Sequence, residues 1–330
     1  MKGILNRLIQ NQTLTKVESK EVLTGLATGQ FNNSQVAAFL TIYLMRAIRV
    51  EELEGFRDAM LELCVPVDLE GYNAIDVCGT GGDSKNTFNI STISSFVVAG
   101  AGVNVAKHGN YGVSSVSGSS NVLESLGCKF SGDVSQMKRS IDVSGICFMH
   151  APLFHPAMKN VGPIRKELGV KTFFNMLGPM VNPSFPPNQL VGVFSLELAR
   201  LYGYLYQNTD KNFSIVHSLD GYDEISLTSE FKLISNRKEA LVSPADLLLP
   251  KLEQEALHGG ETIEDSTAIF KSVIGNTGTK AQTNAVLANA GLAISTVKGI
   301  SMTDGIEEAR ISLTSGKALH AFKKFITVNN

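Results

Sequence analysis

The sequence predicts an α/β fold in which a small all-helical domain accompanies a large α/β domain with a mostly parallel central sheet. Residues 1 to about 70 carry only helical patterns, whereas short apolar strands alternate with helices from Ala74 onward. Such alternation is typical of a parallel sheet covered by helices. A stretch rich in Pro, Asn and Gly, from about 166 to 187, interrupts the alternation and indicates a return of the chain to the helical domain.

The first domain is predicted from helix-start signals. Residues 4–9 carry apolar side chains at helical spacing. Thr15 followed by Glu18 is a capping box, which predicts the start of a second helix. Asn33 precedes the apolar run of a third helix, and the acidic pair that begins at Glu51 opens a further helix.

The second domain is predicted from its strands. The segments with strand composition are 74–78, 103–106, 146–149, 189–193 and 213–217, and the helices between them include 93–100, 121–126 and 196–206. We therefore expect a helical domain made of residues 1–70 and about 166–187, and an α/β domain made of residues 71–165 and 188–330.

Composition restricts the class of protein. The chain has 330 residues, of which 43% are apolar and 18% are charged, and its formal net charge is −2. This charge provides no general attraction to nucleic acid or to anionic lipid, and the apolar runs are too short to cross a bilayer. Four irregularly spaced cysteines and the absence of a signal-peptide pattern at the N-terminus predict a reduced, cytoplasmic protein without a membrane segment.

Residues 76–92 form the most informative segment, because they combine a strand, a glycine-rich turn and a helix start. Gly79, Gly81 and Gly82 allow the backbone to approach a ligand closely, and we expect Ser91 and Thr92 to cap a helix that starts at residue 93. Backbone N–H groups at such a turn bind phosphate oxygens. The segment is neither a Walker A loop nor a dinucleotide fingerprint.

A second polar, glycine-rich loop follows the next strand, within residues 103–120. Lys107 supplies a charge for a phosphate, while Asn110 and several serines supply neutral hydrogen-bonding groups. Loops that follow neighbouring parallel strands emerge at the same edge of the sheet. One such loop alone is typical of an ordinary surface turn, but two in succession favour phosphate binding.

These loops and further motifs resemble the anthranilate phosphoribosyltransferases over nearly the whole chain. The matching segments are Gly79-Thr-Gly-Gly-Asp83, Phe88-Asn-Ile-Ser-Thr92, Lys107-His-Gly-Asn110, Ser114-Ser-Val-Ser-Gly-Ser119, Phe154-His-Pro-Ala-Met-Lys159, Pro163-Ile-Arg-Lys-Glu-Leu-Gly169, Phe174-Asn-Met-Leu-Gly-Pro179 and Asp220-Gly-Tyr-Asp-Glu224. The resemblance implies transfer of the phosphoribosyl group of phosphoribosyl pyrophosphate (PRPP) to the amine of anthranilate in tryptophan biosynthesis. It also implies an active site in the cleft between the domains and a homodimer formed through the helical domain.

The resemblance implies a set of residues for PRPP and for Mg²⁺, with about two ions per subunit. For PRPP these are Gly79, Thr80, Gly82, Asp83, Thr87, Asn89, Ser91, Thr92, Lys107, Ser115 and Ser119. The implied metal ligands are Ser91, Asp223 and Glu224. Without the resemblance, an adjacent Asp and Glu are typical of a solvated surface, and Lys107 fits a lysine whose head reaches water at a strand end.

The resemblance also implies a set of residues for anthranilate: Gly79, His108, Asn110, Pro152, His155, Arg165 and Gly178. A planar guanidinium suits a carboxylate, so Arg165 is the candidate for that group, although alone it fits a surface arginine. His108, Lys107 and Arg165 are the candidate catalytic residues. An aniline amine is already unprotonated at neutral pH, so His108 needs only to accept or relay the departing proton.

Two other functions fit parts of the sequence. A pyrimidine nucleoside phosphorylase shares the domain arrangement but would not need the acidic pair at Asp223, and a nucleic-acid-binding relative would need a basic groove. The sequence also departs from the family, because many members carry arginine in place of Tyr111 and lysine in place of Val116. The segment 275–280 is also looser than its family counterpart, and we interpret it as structural.

Overall fold

The computed structural model describes residues 1–112 and 116–330. They form two compact units, each assembled from two stretches of chain. We call them the helical unit (Met1–Pro66 and Pro152–Pro183) and the α/β unit (Val67–Ala151 and Ser184–Asn330). The middle stretch of the helical unit begins at Pro152, whereas the sequence pattern indicated a start near residue 166.

The described residues contain fifteen α-helices and seven strands. The helices are α1 (Lys2–Ile9), α2 (Lys16–Ala27), α3 (Asn33–Met45), α4 (Val50–Glu62), α5 (Ile90–Gly100), α6 (Ser119–Ser125), α7 (Val134–Ser144), α8 (Ala151–Phe154), α9 (Gly162–Leu168), α10 (Phe174–Leu177), α11 (Leu196–Tyr206), α12 (Ile263–Ile274), α13 (Lys280–Lys298), α14 (Met302–Thr314) and α15 (Lys317–Asn329). The strands are β1 (Ile75–Gly79), β2 (Val105–Gly109), β3 (Ile146–His150), β4 (Asn188–Gly192), β5 (Asn212–Ser218), β6 (Phe231–Ser235) and β7 (Glu239–Val242). Short 3₁₀ turns cover Pro156–Lys159, Gly178–Met180, Ala245–Leu247 and Gln254–Leu257.

The helical unit is held together by aromatic side chains. Phe39, Tyr43 and Phe56 contact one another edge to face, and Phe173 of the middle stretch stacks on Phe56 with ring centroids 4.5 Å apart. Such rings bury a large apolar area, which explains why the middle stretch packs with the N-terminal helices. The predicted capping box at Thr15 is present at the start of α2.

A buried carboxylate connects three elements of the helical unit. Glu52 is fully buried and accepts hydrogen bonds from the Leu14 N–H, the Arg49 N–H and the Tyr43 hydroxyl, and it also pairs with Arg46. Burial alone would raise the pKa of Glu52, but the Arg46 guanidinium and the two N–H donors outweigh it, so the net pKa is lowered.

The sheet of the α/β unit has the order β3-β2-β1-β4-β5-β6-β7. The first five strands pair in parallel, and β6 and β7 form an antiparallel edge. The fold class predicted from the sequence is therefore confirmed. The five predicted strands are present, although β2 begins at Val105 rather than at residue 103.

Parallel register brings the ends of several strands to one edge of the sheet. Gly79 of β1 lies beside Gly192 of β4, and Gly109 of β2 lies beside His150 of β3. Helix α5, apolar on most of its faces, is buried along nearly its whole length next to these strands. The loops that follow β1 and β2 therefore leave the sheet at the same edge, where α/β proteins bind ligands.

Within the described residues no single helix is long and apolar enough to cross a membrane. Helices α13 and α14 reach that length and composition only as a pair, and they are bent by 116° relative to each other.

Candidate active site

The loop after β1 depends on glycine at three positions. Gly81 and Gly82 have φ angles of 62° and 77°, a region in which side chains with a Cβ are strained. At Gly79 an added Cβ would lie 2.5 Å from Oδ2 of Asp223. The glycines therefore bring the loop backbone close to the acidic side chain that the sequence predicted as a metal ligand.

Asp223 is buried directly against this loop. Its Oδ2 accepts a hydrogen bond from the Gly81 N–H at 2.6 Å and a longer one from the Thr80 hydroxyl at 3.5 Å. Burial, together with the charge of Asp83, raises the pKa of Asp223 to about 7.

The half-buried side chain of Glu224 lies beside the first turn of α5. Its Oε1 accepts the Ser91 N–H at 3.4 Å, whereas Oε2 is buried without a hydrogen-bond partner in the protein. Burial raises the pKa of Glu224 well above its usual value, and the charges of Asp223 and Asp83 add to this effect.

The donor set at this position fits a hydrated divalent cation. Among the described residues no group of three or more His, Cys, Asp and Glu side chains forms a metal cage. Mg²⁺ needs only a few protein oxygens, because it keeps several of its waters. The buried, unpaired oxygens of Glu224 and Asp83, together with the neighbouring Asp223, are the hard ligands that such an ion prefers.

Lys107 is buried beneath the loop, with 2% of its surface exposed. Its Nζ donates to the Val77 carbonyl oxygen and lies 3.4 Å from the Ser91 hydroxyl. Burial lowers the pKa of Lys107, while nearby carboxylates, Glu224 among them, oppose this effect. The interpretation as a lysine whose head reaches water is therefore wrong, since this ammonium group points into the candidate site.

Helix α5 starts earlier than the sequence predicted. It begins at Ile90, so Ser91 and Thr92 lie in its first turn and do not cap a helix that starts at Ile93. Asn89 occupies the cap position and forms no side-chain capping bond; its Nδ2 donates to the Ser117 carbonyl oxygen at 3.0 Å. This bond connects the first glycine-rich loop to the second. Thr92 is buried.

The second loop is closed by short-range bonds. The Ser120 N–H donates to the Asn110 carbonyl oxygen at 3.1 Å, and the Ser119 hydroxyl reaches the same oxygen at 3.4 Å. The His108 N–H donates to Oδ1 of Asp76 at 3.4 Å. Ser115, one of the predicted phosphate ligands, lies outside the described residues.

A segment that the sequence did not single out packs on the first loop. Thr87 forms a β-bridge with His258, and the Asn86 side chain donates to the Gly260 carbonyl oxygen at 2.8 Å. An added Cβ on Gly259 would lie 2.7 Å from the Thr87 carbonyl oxygen. The consecutive glycines at 259 and 260 were the available signal, but only the fold reveals their partner.

The remaining predicted residues lie in the helical unit. Nη2 of Arg165 donates to Oδ1 of Asn175 at 3.2 Å, and the guanidinium carbon lies 5.0 Å from the Phe174 ring centroid. Burial lowers the pKa of Arg165. Arg165 is therefore a half-buried, oriented side chain, and Asn175, which the sequence had not assigned, orients it.

His155 is also buried in the helical unit, and its Nε2–H donates to the Val181 carbonyl oxygen at 2.8 Å. Pro152 and Gly178 are exposed. The structure thus brings together the candidates for PRPP and metal in the α/β unit, with Gly79, His108 and Asn110 beside them. It places Pro152, His155, Arg165 and Gly178 in the helical unit.

Comparison with known proteins is consistent with this division of the chain. Residues 2–64 match the helical bundle domain of the glycosyl transferase family, and residues 71–319 match the a/b domain of that family. The curated anthranilate phosphoribosyltransferase of Christiangramia forsetii is 62% identical over 324 residues, covering 98% of each chain.

Two solved structures have the same fold. The anthranilate phosphoribosyltransferase of Thermus thermophilus superposes with a TM-score of 0.92 at 31% identity, covering 98% of each chain. The Saccharomyces cerevisiae enzyme, solved in complex with PRPP and Mg, superposes with a TM-score of 0.91 at 26% identity, covering 98% of this chain and 96% of that one.

Proposed function

This chain belongs to the family of anthranilate phosphoribosyltransferases, and on that premise we propose that it transfers the phosphoribosyl group of PRPP to the amine of anthranilate. The products are N-(5-phosphoribosyl)anthranilate and pyrophosphate, in the biosynthesis of tryptophan. The arrangement that carries this proposal is the group formed by the buried Asp223 and Lys107 and the half-buried Glu224 and Asp83 around the glycine-rich loop after β1. A nucleoside phosphorylase would have no use for this acidic group.

The α/β unit is proposed to bind PRPP and Mg²⁺, with about two ions per subunit. Asp223, Glu224 and Ser91 would hold the metal, which supplies positive charge to the pyrophosphate leaving group. The loop N–H groups, with the hydroxyls of Ser119 and Ser115, would hold phosphate oxygens. The fixed loop glycines keep these donors oriented before the substrate arrives, so little reorganisation is needed as charge develops on the leaving group.

The positive charge of Lys107 would stabilise the negative charge of the bound PRPP, and Lys107 would not act as a base. Its ammonium group lies beside the Ser91 hydroxyl, close to the start of α5, where backbone N–H groups also favour an anion. The buried position limits water around this charge, so its interaction with a phosphate oxygen is stronger than at a surface.

Arg165 is the proposed partner of the anthranilate carboxylate. Asn175 and the Phe174 ring hold its guanidinium in a fixed orientation, and burial removes competing water. The amine of anthranilate then attacks the anomeric carbon as the bond to pyrophosphate breaks, with inversion at that carbon. The departing proton of the amine passes to His108 or to water.

The experiment that tests this function follows the loss of anthranilate fluorescence when PRPP is added. We expect loss in the presence of Mg²⁺ and none with excess chelator. The double variant Asp223→Asn with Glu224→Gln should abolish this turnover with the circular dichroism spectrum unchanged, whereas Glu230→Gln, an exposed control, should stay active. A fully active double variant would exclude these side chains as metal ligands.

The role of Arg165 has its own test. Arg165→Ala should raise the KM for anthranilate by about tenfold or more, because a buried charge-assisted bond is lost, and should change the KM for PRPP less. Lys166→Ala, the exposed neighbour, is the control. A larger effect on the KM for PRPP would place Arg165 at the other substrate.

We also propose that the protein is a cytoplasmic homodimer associated through its helical unit, and that it binds neither nucleic acid nor membrane. The homodimer is supported by exposed apolar side chains on the helical unit, among them Ile9, Val17, Leu44 and Met45. We propose that these side chains form one apolar patch, because patches on a folded protein typically mark an interaction surface.

A further inference from the structure

Besides the bonds to the Asn110 carbonyl oxygen, one side chain, that of Asn121, bridges the two ends of the second glycine-rich loop. Its Oδ1 accepts hydrogen bonds from the Gly112 N–H at 2.9 Å and from the Gly118 N–H at 3.0 Å. One donor precedes residues 113–117 and the other follows them. The amide oxygen of Asn121 therefore ties the two limbs of the loop together, in addition to the bonds that Ser119 and Ser120 make to Asn110.

The two ends of the loop that Asn121 bridges lie very close together. An added Cβ on Gly118 would lie 2.3 Å from the Gly112 nitrogen, so the two backbones approach as closely as only glycine permits. Gly118 is also the N-cap residue of α6 and has no side chain of its own to cap the helix. Asn121, in the first turn of α6, reaches back to the Gly118 N–H instead.

The tied loop presents groups to the proposed PRPP site. Ser119 lies next to the tie, and the Ser117 carbonyl oxygen is the acceptor of the Asn89 bond that connects the two loops. Resting on the proposed function, we propose that Asn121 is a positioning residue for PRPP. It holds Gly112 and residues 116–119 in the arrangement in which the Ser119 hydroxyl and nearby N–H groups bind phosphate, and it does not itself contact the substrate.

A neutral acceptor suits this position. Residues 108–128 contain no Lys or Arg, so Lys107, just before this segment, is the only cation from the loop that could balance a carboxylate at position 121. An amide oxygen accepts two hydrogen bonds without adding negative charge near a polyanionic substrate and the carboxyl groups of Asp83, Asp223 and Glu224. Aspartate would keep both bonds but would repel phosphate.

The test compares Asn121→Leu, which removes the acceptor, with Asn121→Asp, which keeps it, and uses the exposed Asn208→Leu as control. We expect Asn121→Leu to raise the KM for PRPP about tenfold, because both hydrogen bonds to the Asn121 oxygen are lost, and to leave the KM for anthranilate within about twofold. Hydrogen exchange at Gly112 and Gly118 should accelerate in Asn121→Leu and stay slow in Asn121→Asp. Asn121→Asp should raise the KM for PRPP in a salt-dependent way.

Several outcomes would overturn this role. An unchanged KM for PRPP in a folded Asn121→Leu variant would do so, and so would an equal rise in both KM values, which indicates general damage. If Asn121→Leu fails to fold, the smaller Asn121→Ala replaces it, and an unchanged KM for PRPP in that variant would overturn the positioning role; an unchanged KM for PRPP in Asn121→Asp at low salt would overturn the argument from charge. Absence of turnover in the unaltered protein would instead contradict the proposed function itself.

Discussion

Asp83, Asp223 and Glu224 illustrate what burial does to charged side chains at the edge of the sheet. Each carboxyl group has a raised pKa, with burial as the main cause and the neighbouring carboxyl groups as contributors to those of Asp223 and Glu224. Removing a charge from water is costly unless an opposite charge compensates it. The single positive charge of Lys107 does not neutralise three carboxylates. The three carboxyl groups therefore form a site that favours binding of a further cation.

His155 provides a pH prediction. Burial lowers its pKa to about 4 from a usual value of 6.5, and the bond to Val181 offsets this only in part. Below pH 6.5 the unfolded chain takes up a proton that the folded protein does not, so stability is present above pH 6.5 and is lost as the pH falls towards 4. We expect His155 to account for about 2 kcal/mol of unfolding free energy lost between pH 7 and pH 5.

Urea denaturation followed by circular dichroism at these two pH values measures this contribution. In His155→Gln the loss between pH 7 and pH 5 should be smaller by that amount, whereas His320→Gln, at an exposed histidine, should behave like the unaltered protein. An equal loss in all three proteins would show that His155 does not govern the acid sensitivity.

Glu52 provides a second prediction at the scale of one residue. It is fully buried with four partners, so Glu52→Gln leaves Arg46 without its counter-charge. The substitution should lower the unfolding free energy by about 3 kcal/mol, since breaking a buried pair leaves an uncompensated charge. Glu62→Gln, which removes an exposed partner of Lys20, should cost less than about 1 kcal/mol. Equal losses in the two variants would contradict the difference that burial predicts.

At the scale of elements, β1 and β4 end in a pair of glycines, Gly79 and Gly192. Asp223 packs directly against both, which leaves no room for a Cβ at either position. An added Cβ on Gly192 would lie 1.4 Å from the Asp223 carbonyl oxygen. Gly192→Ala must therefore displace the segment that carries both Asp223 and Glu224. We expect a loss of Mg²⁺-supported turnover of about a hundredfold or more, because misplaced catalytic groups cost that much.

Gly203→Ala is the matched control for this substitution. Gly203 lies inside α11, and its added Cβ would meet Ile234 at 3.4 Å, an ordinary contact. The variant should stay active and gain about 0.5–1 kcal/mol of stability from the better helix propensity of alanine. Full activity in Gly192→Ala would show that the close packing of this strand end is unimportant.

Local patterns predicted some elements well and others poorly. Helix α11 and the capping box of α2 follow from periodicity and from cap residues, which are properties of neighbouring residues. The start of α5 does not follow from such local signals, because the residue at its cap position, Asn89, bonds to Ser117, which is distant in sequence. Strands β6 and β7 were not assigned, since an antiparallel edge strand has no helix connection to reveal it.

At the scale of the whole molecule, the fold class could be predicted because strand and helix alternate over a long stretch of sequence. The limits of the helical unit could not be predicted, because the middle stretch that begins at Pro152 joins the unit through contacts between residues distant in sequence, such as that of Phe173 with Phe56. The site could be predicted mainly through family motifs. Partners such as Asn175 for Arg165 and Asn121 for the second loop became visible only in the structure.

The proposed homodimer is a prediction at this scale. Met45 is 84% exposed and Ile9 is 68% exposed, both on the helical unit. If this surface is the interface, Met45→Glu with Ile9→Glu buries unpaired charges in it and should weaken association by at least about a hundredfold. Sedimentation velocity at micromolar concentration should then report the chain mass of 35.5 kDa instead of twice that mass.

The control for this experiment is Tyr204→Glu with Leu196→Glu, which adds the same two charges at exposed positions on α11 of the α/β unit. It should sediment like the unaltered protein. A monomeric unaltered protein would exclude the homodimer, and a dimeric Met45→Glu, Ile9→Glu variant would move the interface away from these residues. Because PRPP and metal are proposed to bind to the α/β unit, the charged variant should keep chelator-sensitive PRPP binding even as a monomer, which separates assembly from catalysis.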